Sequence, residues 1–364
     1  MNSLKKKMAL GLSLLMIAGT MSACGGSDST ADTTAAAETT AAETTAAETS
    51  ETETTVAEPA VLNPDGAEVV VRLNDELYIS YGALCVSVLQ QKEYFESMTL
   101  EYYNTTVTVE DWNTPMDNGK TPAQDIFDQT LAAGITQLVV ASKADEYQVS
   151  ISEEELAALK EENTALYGSM SGDWLEISGL VEEDWLELSK QAMLYDKVKA
   201  AELANYTAEI ADEDARTMKM AMFAIALDAA NPGTGLPTQE EAEAKVQEIL
   251  AIIEGGANPQ SVVEEYGYTY YEDSIYVGQY TDEDSLKMLE LKTGETMYFM
   301  PDETAVCAVI CLDEADASLT EERKAVLSEE AAEKYFVDLA AEWVEAAAIE
   351  QNEELIGKMD LFSE

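Results

Sequence analysis

Histidine is absent from all 364 residues. That excludes a Ser-His-Asp triad, a Cys-His nucleophile pair and any zinc site built on imidazole. Basic residues are scarce, 20 against 72 acidic ones, for a net charge of −52. Clustered Lys and Arg are what hold a phosphate backbone, so nucleic-acid binding is excluded as well. Cysteine occurs four times and never as Cys-x-x-Cys, which leaves thiol redox chemistry and a zinc ribbon without support. The apolar stretch near the start, Met8 to Ala18, falls short of the roughly 20 residues a spanning helix needs. What is present is a 46% hydrophobic fraction, enough to bury real cores. The length suits about two domains of roughly 150 residues each.

Lys5, Lys6 and Lys7 precede that apolar stretch, and Gly19 to Ala23 follow it. A positive segment, a short hydrophobic one and small residues make a secretory signal over residues 1–23. Met21-Ser22-Ala23-Cys24-Gly25-Gly26 resembles a bacterial lipobox, with Met21 where Leu is usual. The resemblance implies that Cys24 is lipidated and anchors an extracytoplasmic chain to the bacterial cell membrane through that lipid alone. Residues 24–60 then read as a tether. From 28 to 58 they are nearly all Thr, Ala and Glu, with Thr39-Thr40-Ala41-Ala42-Glu43 repeated at Thr44 to Glu48. With no aromatic and no basic residue, nothing there can form a core.

Beyond the tether, apolar patterning predicts an α+β chain. Val69 to Leu73 and Leu77 to Ile79 read as strands joined at Asn74-Asp75. Helices are predicted from Thr121-Pro122 with Gln124, from Ser152 with Glu155, and over about Val181 to Tyr206, the first two opened by a capping residue paired one turn on. Near residue 216 the pattern changes. Met218 to Leu227 is an apolar run broken only by Lys219, which predicts a buried strand, and Asn231-Pro232-Gly233 a turn. Thr238 with Glu241 opens a helix to Glu254 that stops at Gly255-Gly256. Pro259 to Glu265 reads as a short helix, Ile275 to Tyr280 as a strand, Leu286 to Leu291 as a helical turn and Val306 to Leu312 as a strand. A long helix is expected from Ser318, capped with Glu321, to about Ile349. Cys307 and Cys311 on one strand would lie about 13 Å apart, too far to bridge.

Taken in order, these segments of 216–318 resemble a parvulin-type peptidyl-prolyl isomerase domain. The helix ending at Gly255-Gly256, the short helix to Tyr266, Val277-Gly278-Gln279-Tyr280, Leu291-Lys292-Thr293-Gly294-Glu295 and Cys307-Ala308-Val309-Ile310 are similar to its successive motifs. Val69 to Ile79 resembles the entry strand of PrsA- and SurA-type foldases. The resemblance implies a mostly helical SurA-N-like chaperone domain, residues 61–215 plus 319–364, with a parvulin-like domain inserted at 216–318 and a long C-terminal helix.

The departures from that family bear on chemistry. Its two groove histidines correspond approximately to Met222 and Cys307 here, and its Ser-x-Asp is replaced by Gly267-Tyr268-Thr269. A vestigial apolar groove could be built from Met222, Phe223, Tyr280, Met288, Leu289, Phe299 and Cys307. The same side chains also fit a plain core. No catalytic residue, metal ligand or cofactor is assigned. Gly168 to Gly172 carries Met170 where a nucleophile elbow needs Ser, and Asp282-Glu283-Asp284 lacks the glycine of a calcium loop. The expected function is a membrane-anchored chaperone or foldase whose partners are unfolded or partly folded exported proteins. Two alternatives fit the same residues: an active parvulin-type isomerase, and a non-catalytic surface lipoprotein with one dedicated partner.

Overall fold

The computed structural model describes residues 66–228 and 235–363. The signal, Cys24, the tether and the Asn231-Pro232-Gly233 turn lie outside the described residues. The fold is mixed α+β, and the chain divides into two compact units, Met1–Lys199 with Ala340–Glu364, and Ala200–Leu339. None of the described helices is long and apolar enough to cross a membrane.

In the first unit, β1 (Val69–Arg72) pairs antiparallel with β2 (Tyr78–Ser80) on one side and β7 (Glu350–Gln351) on the other. The β1–β2 turn is held by Asn74 Oδ1, which accepts from the backbone N–H groups of Glu76 and Leu77, both at 2.9 Å. An Asn side chain mimicking a backbone acceptor is what makes this pair a turn signal. Ser80 ends β2 and also caps α1 (Tyr81–Tyr103), its hydroxyl accepting from Ala83 N. α1 closes at Asn104 in the left-handed region, φ 48°. Four more helices follow: α2 (Val109–Asn113), α3 (Pro122–Ala141), α4 (Glu153–Ser169) and α5 (Gly172–Ser178). Reciprocal capping boxes open three of them, at Thr108/Asp111, Thr121/Gln124 and Ser152/Glu155. α6 (Glu182–Leu203) follows, and after it in the chain a single turn, α7 (Asp212–Ala215). Val70, Val71, Tyr81, Leu84, Trp112, Ile126 and Leu138 form the centre of one core. Gly82 is required by close approach, because a Cβ there would stand 2.7 Å from the Leu180 Cα.

A polar knot interrupts that core. Asp184 is buried, and Tyr78 Oη donates to its Oδ1 at 3.2 Å while Gln191 Nε2 donates to the Tyr78 carbonyl at 2.9 Å. Burial pushes the Asp184 carboxyl above the usual carboxylate range, against the opposing pull of hydrogen bonds with Ser80 and Tyr78. A raised folded-state pKa means the folded chain binds the proton more readily than the unfolded chain does. Stability therefore falls as pH rises through the window between the two values. Asp184→Asn is expected to melt no lower than wild type at pH 7 and to flatten that decline. A variant melting several degrees lower at pH 7 would show instead that the ionised form is the stabilising one.

The second unit is built on a four-stranded antiparallel sheet in the order β4 (Tyr271–Tyr276), β3 (Thr217–Ala226), β6 (Ala305–Asp313), β5 (Thr296–Asp302). α8 (Gln239–Glu254), opened by the Thr238/Glu241 box, and α9 (Pro259–Glu265) cover one face. α10 (Glu283–Glu290) covers the other. With both faces of β3 covered as far as Phe223, before the exposed Ala224 and Ala226, its sequence is a continuous apolar run rather than an alternating one. Lys219 interrupts the run where the β3–β6 register shifts, and its ammonium pairs with Glu272 on β4 at 2.8 Å.

Two local expectations are corrected, and one further strand is present. The strand expected at Ile275 to Tyr280 lies earlier, because β3 pairs with Tyr271–Tyr276; Val277 to Gln279 form the turn that follows, with Gly278 at φ 85°. The long helix α11 (Ala317–Ala346) is opened by Asp316, whose Oδ1 accepts from the N–H groups of Ser318 and Leu319, and not by Ser318. β5 is an element the pattern did not predict. Its residues Thr296 to Met300 are all half-buried and show no alternation.

Candidate functional site

The residues singled out from the sequence divide three ways. Met222, Met288, Leu289 and Phe299 meet on one face of the second unit's sheet, in a cluster with Met218, Met220, Val309 and Cys311. Cys307 belongs to the same face by strand alternation with Val309 and Cys311. It stands between Ala224 on β3 and Phe299 on β5 in the sheet register. Phe223, the neighbour of Met222, points the other way and is fully buried under α8 and α9 with Ile225, Ala308 and Ile310. Tyr280 is 52% exposed after the β4 turn.

Chemically this face is soft and apolar. Met218, Met220, Met222, Met288 and Met297 all contribute to it. The thiol of Cys307 is held above its ordinary pKa, by burial first and then by the Asp302 carboxylate, and burial likewise lifts Cys311 to about 11. Both are protonated near neutral pH and so are poor nucleophiles. Thioether and thiol are weak hydrogen-bond partners. The arrangement can hold apolar groups by contact, and it offers no strong donor to orient a polarised amide. Cys85, Cys307 and Cys311 are all free thiols.

Beside this face is a cleft of about 360 Å³ lined by Arg216, Leu289, Glu290, Lys292, Glu314 and Ala315. Its basic groups converge on Glu314. Arg216 Nη1 donates to the Glu314 carbonyl at 3.2 Å, Lys292 Nζ lies 3.4 Å from Glu314 Oε1, and Thr293 N donates to Glu314 Oε2 at 3.1 Å. That backbone N–H, helped by Lys292 and Arg216, holds the Glu314 carboxyl below its ordinary pKa. Among the described residues no cluster of Cys, Asp and Glu is suited to a metal ion. Asp282 instead caps α10, accepting from Ser285 N at 2.9 Å.

A feature not recognised from the sequence lies in the first unit. In the C-terminal half of α1, Tyr94, Leu100 and Tyr102 are exposed by 46%, 53% and 68%. Their cue was four aromatics, Tyr94, Phe95, Tyr102 and Tyr103, within ten residues of one helix, more than a single buried stripe accommodates.

No protein-family model and no curated protein matches the chain. Among solved structures it is similar to foldase protein PrsA from Lactococcus lactis, with 11% identity, 82% of this chain and 100% of that one covered, and a TM-score of 0.32. Peptidylprolyl isomerase PrsA from Bacillus cereus aligns at 15% identity over the same shares, also with a TM-score of 0.32. PrsA from Bacillus subtilis aligns at 17% identity, covering 69% of this chain and 94% of that one, with a TM-score of 0.18. Similarity at this level assigns no activity to the chain.

Proposed function

We propose that the chain is an extracytoplasmic chaperone or foldase that holds unfolded exported proteins, anchored to the membrane by a lipidated Cys24. The observation that carries the reading is the exposure of Tyr94, Leu100 and Tyr102 on an acidic chain. Large apolar side chains left in water along the C-terminal half of a helix suit reversible contact with apolar segments of other proteins. The net charge of −52 favours segments flanked by basic residues and repels acidic ones. In this reading Met222, Met288, Leu289, Phe299 and Cys307 are a vestigial proline groove that supplies apolar contact and no catalysis. No cofactor is needed.

The purified chain without residues 1–23, at near-equal concentration, is expected to slow the aggregation of several unrelated unfolded proteins. Replacing Tyr94, Leu100 and Tyr102 together with Ser should remove most of that effect while the melt is unchanged. Full suppression by the triple variant would move client binding elsewhere, and no suppression by the parent chain would sink the chaperone reading. For the anchor, fatty-acid labelling of the full chain in bacterial cells is expected and should vanish in Cys24→Ala; labelling that persists would overturn it.

A further inference from the structure

After β7 the chain makes the short helix α12 (Glu353–Ile356) and then runs without regular structure through Leu361 and Phe362. Both side chains are buried, 6% and 7% exposed. The Phe362 ring lies 5.0 Å from Trp112 on α2, at 54°, and Trp112 in turn lies 5.2 Å from Phe95 on α1. Lys92 Nζ sits 5.4 Å over the Phe362 ring. The backbone of the segment is gripped by side chains. Lys92 Nζ donates to the Leu361 carbonyl at 2.9 Å, and Asn113 Nδ2 donates to the Phe362 carbonyl at 3.2 Å. The Asn113 amide is oriented by a second bond, to the Val109 carbonyl at 2.9 Å, and the Trp112 indole by its bond to Glu96 Oε1 at 3.0 Å.

We propose that Lys92, Phe95, Trp112 and Asn113 form a peptide-binding slot for extended segments carrying an aliphatic residue followed by an aromatic one, and that the chain's own Leu361-Phe362 closes it. This deepens the chaperone reading and rests on it, naming one class of client segment and a device that limits access. Two successive carbonyls captured by side chains are a recognition of main chain, which every peptide presents. Specificity is left to the two inserted side chains. A cation over the ring favours an aromatic in the second position and disfavours a basic residue there. A covalently attached occupant competes at high effective concentration. Client peptides are therefore bound with an apparent affinity reduced by the fraction of time the slot stands open.

The test uses the chain from residue 24 onward and two labelled peptides, read by fluorescence anisotropy. One copies residues 358–363; the other is unrelated apart from a Val-Tyr pair in the same place. In the variant L361S/F362S both peptides are expected to bind about tenfold or more tighter than to wild type. Adding Asn113→Ala should weaken both to a similar extent, since it removes a main-chain contact. Phe362→Leu keeps an apolar filling but removes the ring, and it gives the same comparison if the double variant melts early. The proposal is overturned if the opened variants are folded and bind neither peptide. It is equally overturned if they bind only the copy of residues 358–363, or if wild type binds the Val-Tyr peptide as tightly as they do. Aggregation suppression by wild type, scored separately, keeps the two readings apart. Peptide binding without suppression sinks the chaperone reading, and suppression without any gain in peptide binding sinks the slot.

Discussion

Trp112→Ala is expected to cost the first unit about 3–5 kcal/mol, the range for truncating a buried large aromatic. Trp112 is 1% exposed and is among the largest fully buried side chains of the structure. It sits on a five-residue helix, Val109–Asn113, too short to be stable by itself. The helix is therefore held in place by what the indole touches: Phe95 on one side, Phe362 on the other, and Glu96 at its N–H. Truncation leaves a cavity between three elements and also leaves the Glu96 carboxylate without this donor. Trp112→Phe refills part of the volume and keeps ring contacts, so it should recover more than half of the loss. Urea unfolding followed at 222 nm reads both variants. A loss below about 1 kcal/mol in Trp112→Ala would mean that the surroundings collapse into the gap and that the indole is not the organising contact.

The parts of this fold that were legible in the sequence are those decided within one or two turns of chain. Thr121/Gln124, Ser152/Glu155 and Thr238/Glu241 each open a helix where expected, because a capping box is complete within four residues. The β3 run was legible for a different reason, since a strand covered on both faces over most of its length carries its own continuous apolar signature. Elements settled by a distant partner were not. β4 occupies Tyr271–Tyr276 because Met222 pairs with Tyr271 and Thr217 with Tyr276, although Glu272-Asp273 within it disfavour a strand. β5 takes its place from pairing with β6, Phe299 opposite Cys307, although Pro301 and a lack of alternation obscure it. At α11 two local signals competed, and Asp316, two residues before the Ser318/Glu321 pair, makes the cap. The candidate site shows the same division. Met222 and Phe223 are adjacent in a strand, so period-two geometry alone places them on opposite faces. Which of them shares a face with Met288 and Phe299 is decided by the helices that cover the sheet.

That difference in facing predicts a large contrast between two residues first grouped in one candidate groove. Phe223→Ala should destabilise the second unit by about 3–5 kcal/mol, whereas Tyr280→Ala should stay within about 0.5 kcal/mol of wild type. Phe223 is fully buried, pairs with Ala308 across the central strands and stacks on Tyr268 at 6.1 Å. Its neighbours Ala221 and Ala308 are small and, like Ile225, are set on strands of a paired sheet, so little can move in to fill the space. Tyr280 has half its surface in water, and its truncation opens no cavity. Met222→Ala should fall between the two, since its side chain is half-buried against the methionine-rich face and thioethers nearby can readjust. Denaturant midpoints of the three variants give the order directly. Should Tyr280→Ala cost as much as Phe223→Ala, Tyr280 would have to be packed in solution, and the apolar face under α10 would extend to the turn after β4. An unperturbed Phe223→Ala would instead mean that α8 and α9 close onto the sheet without it, and that the buried face is held mainly by the aliphatic contacts of Val246, Ile249 and Val263.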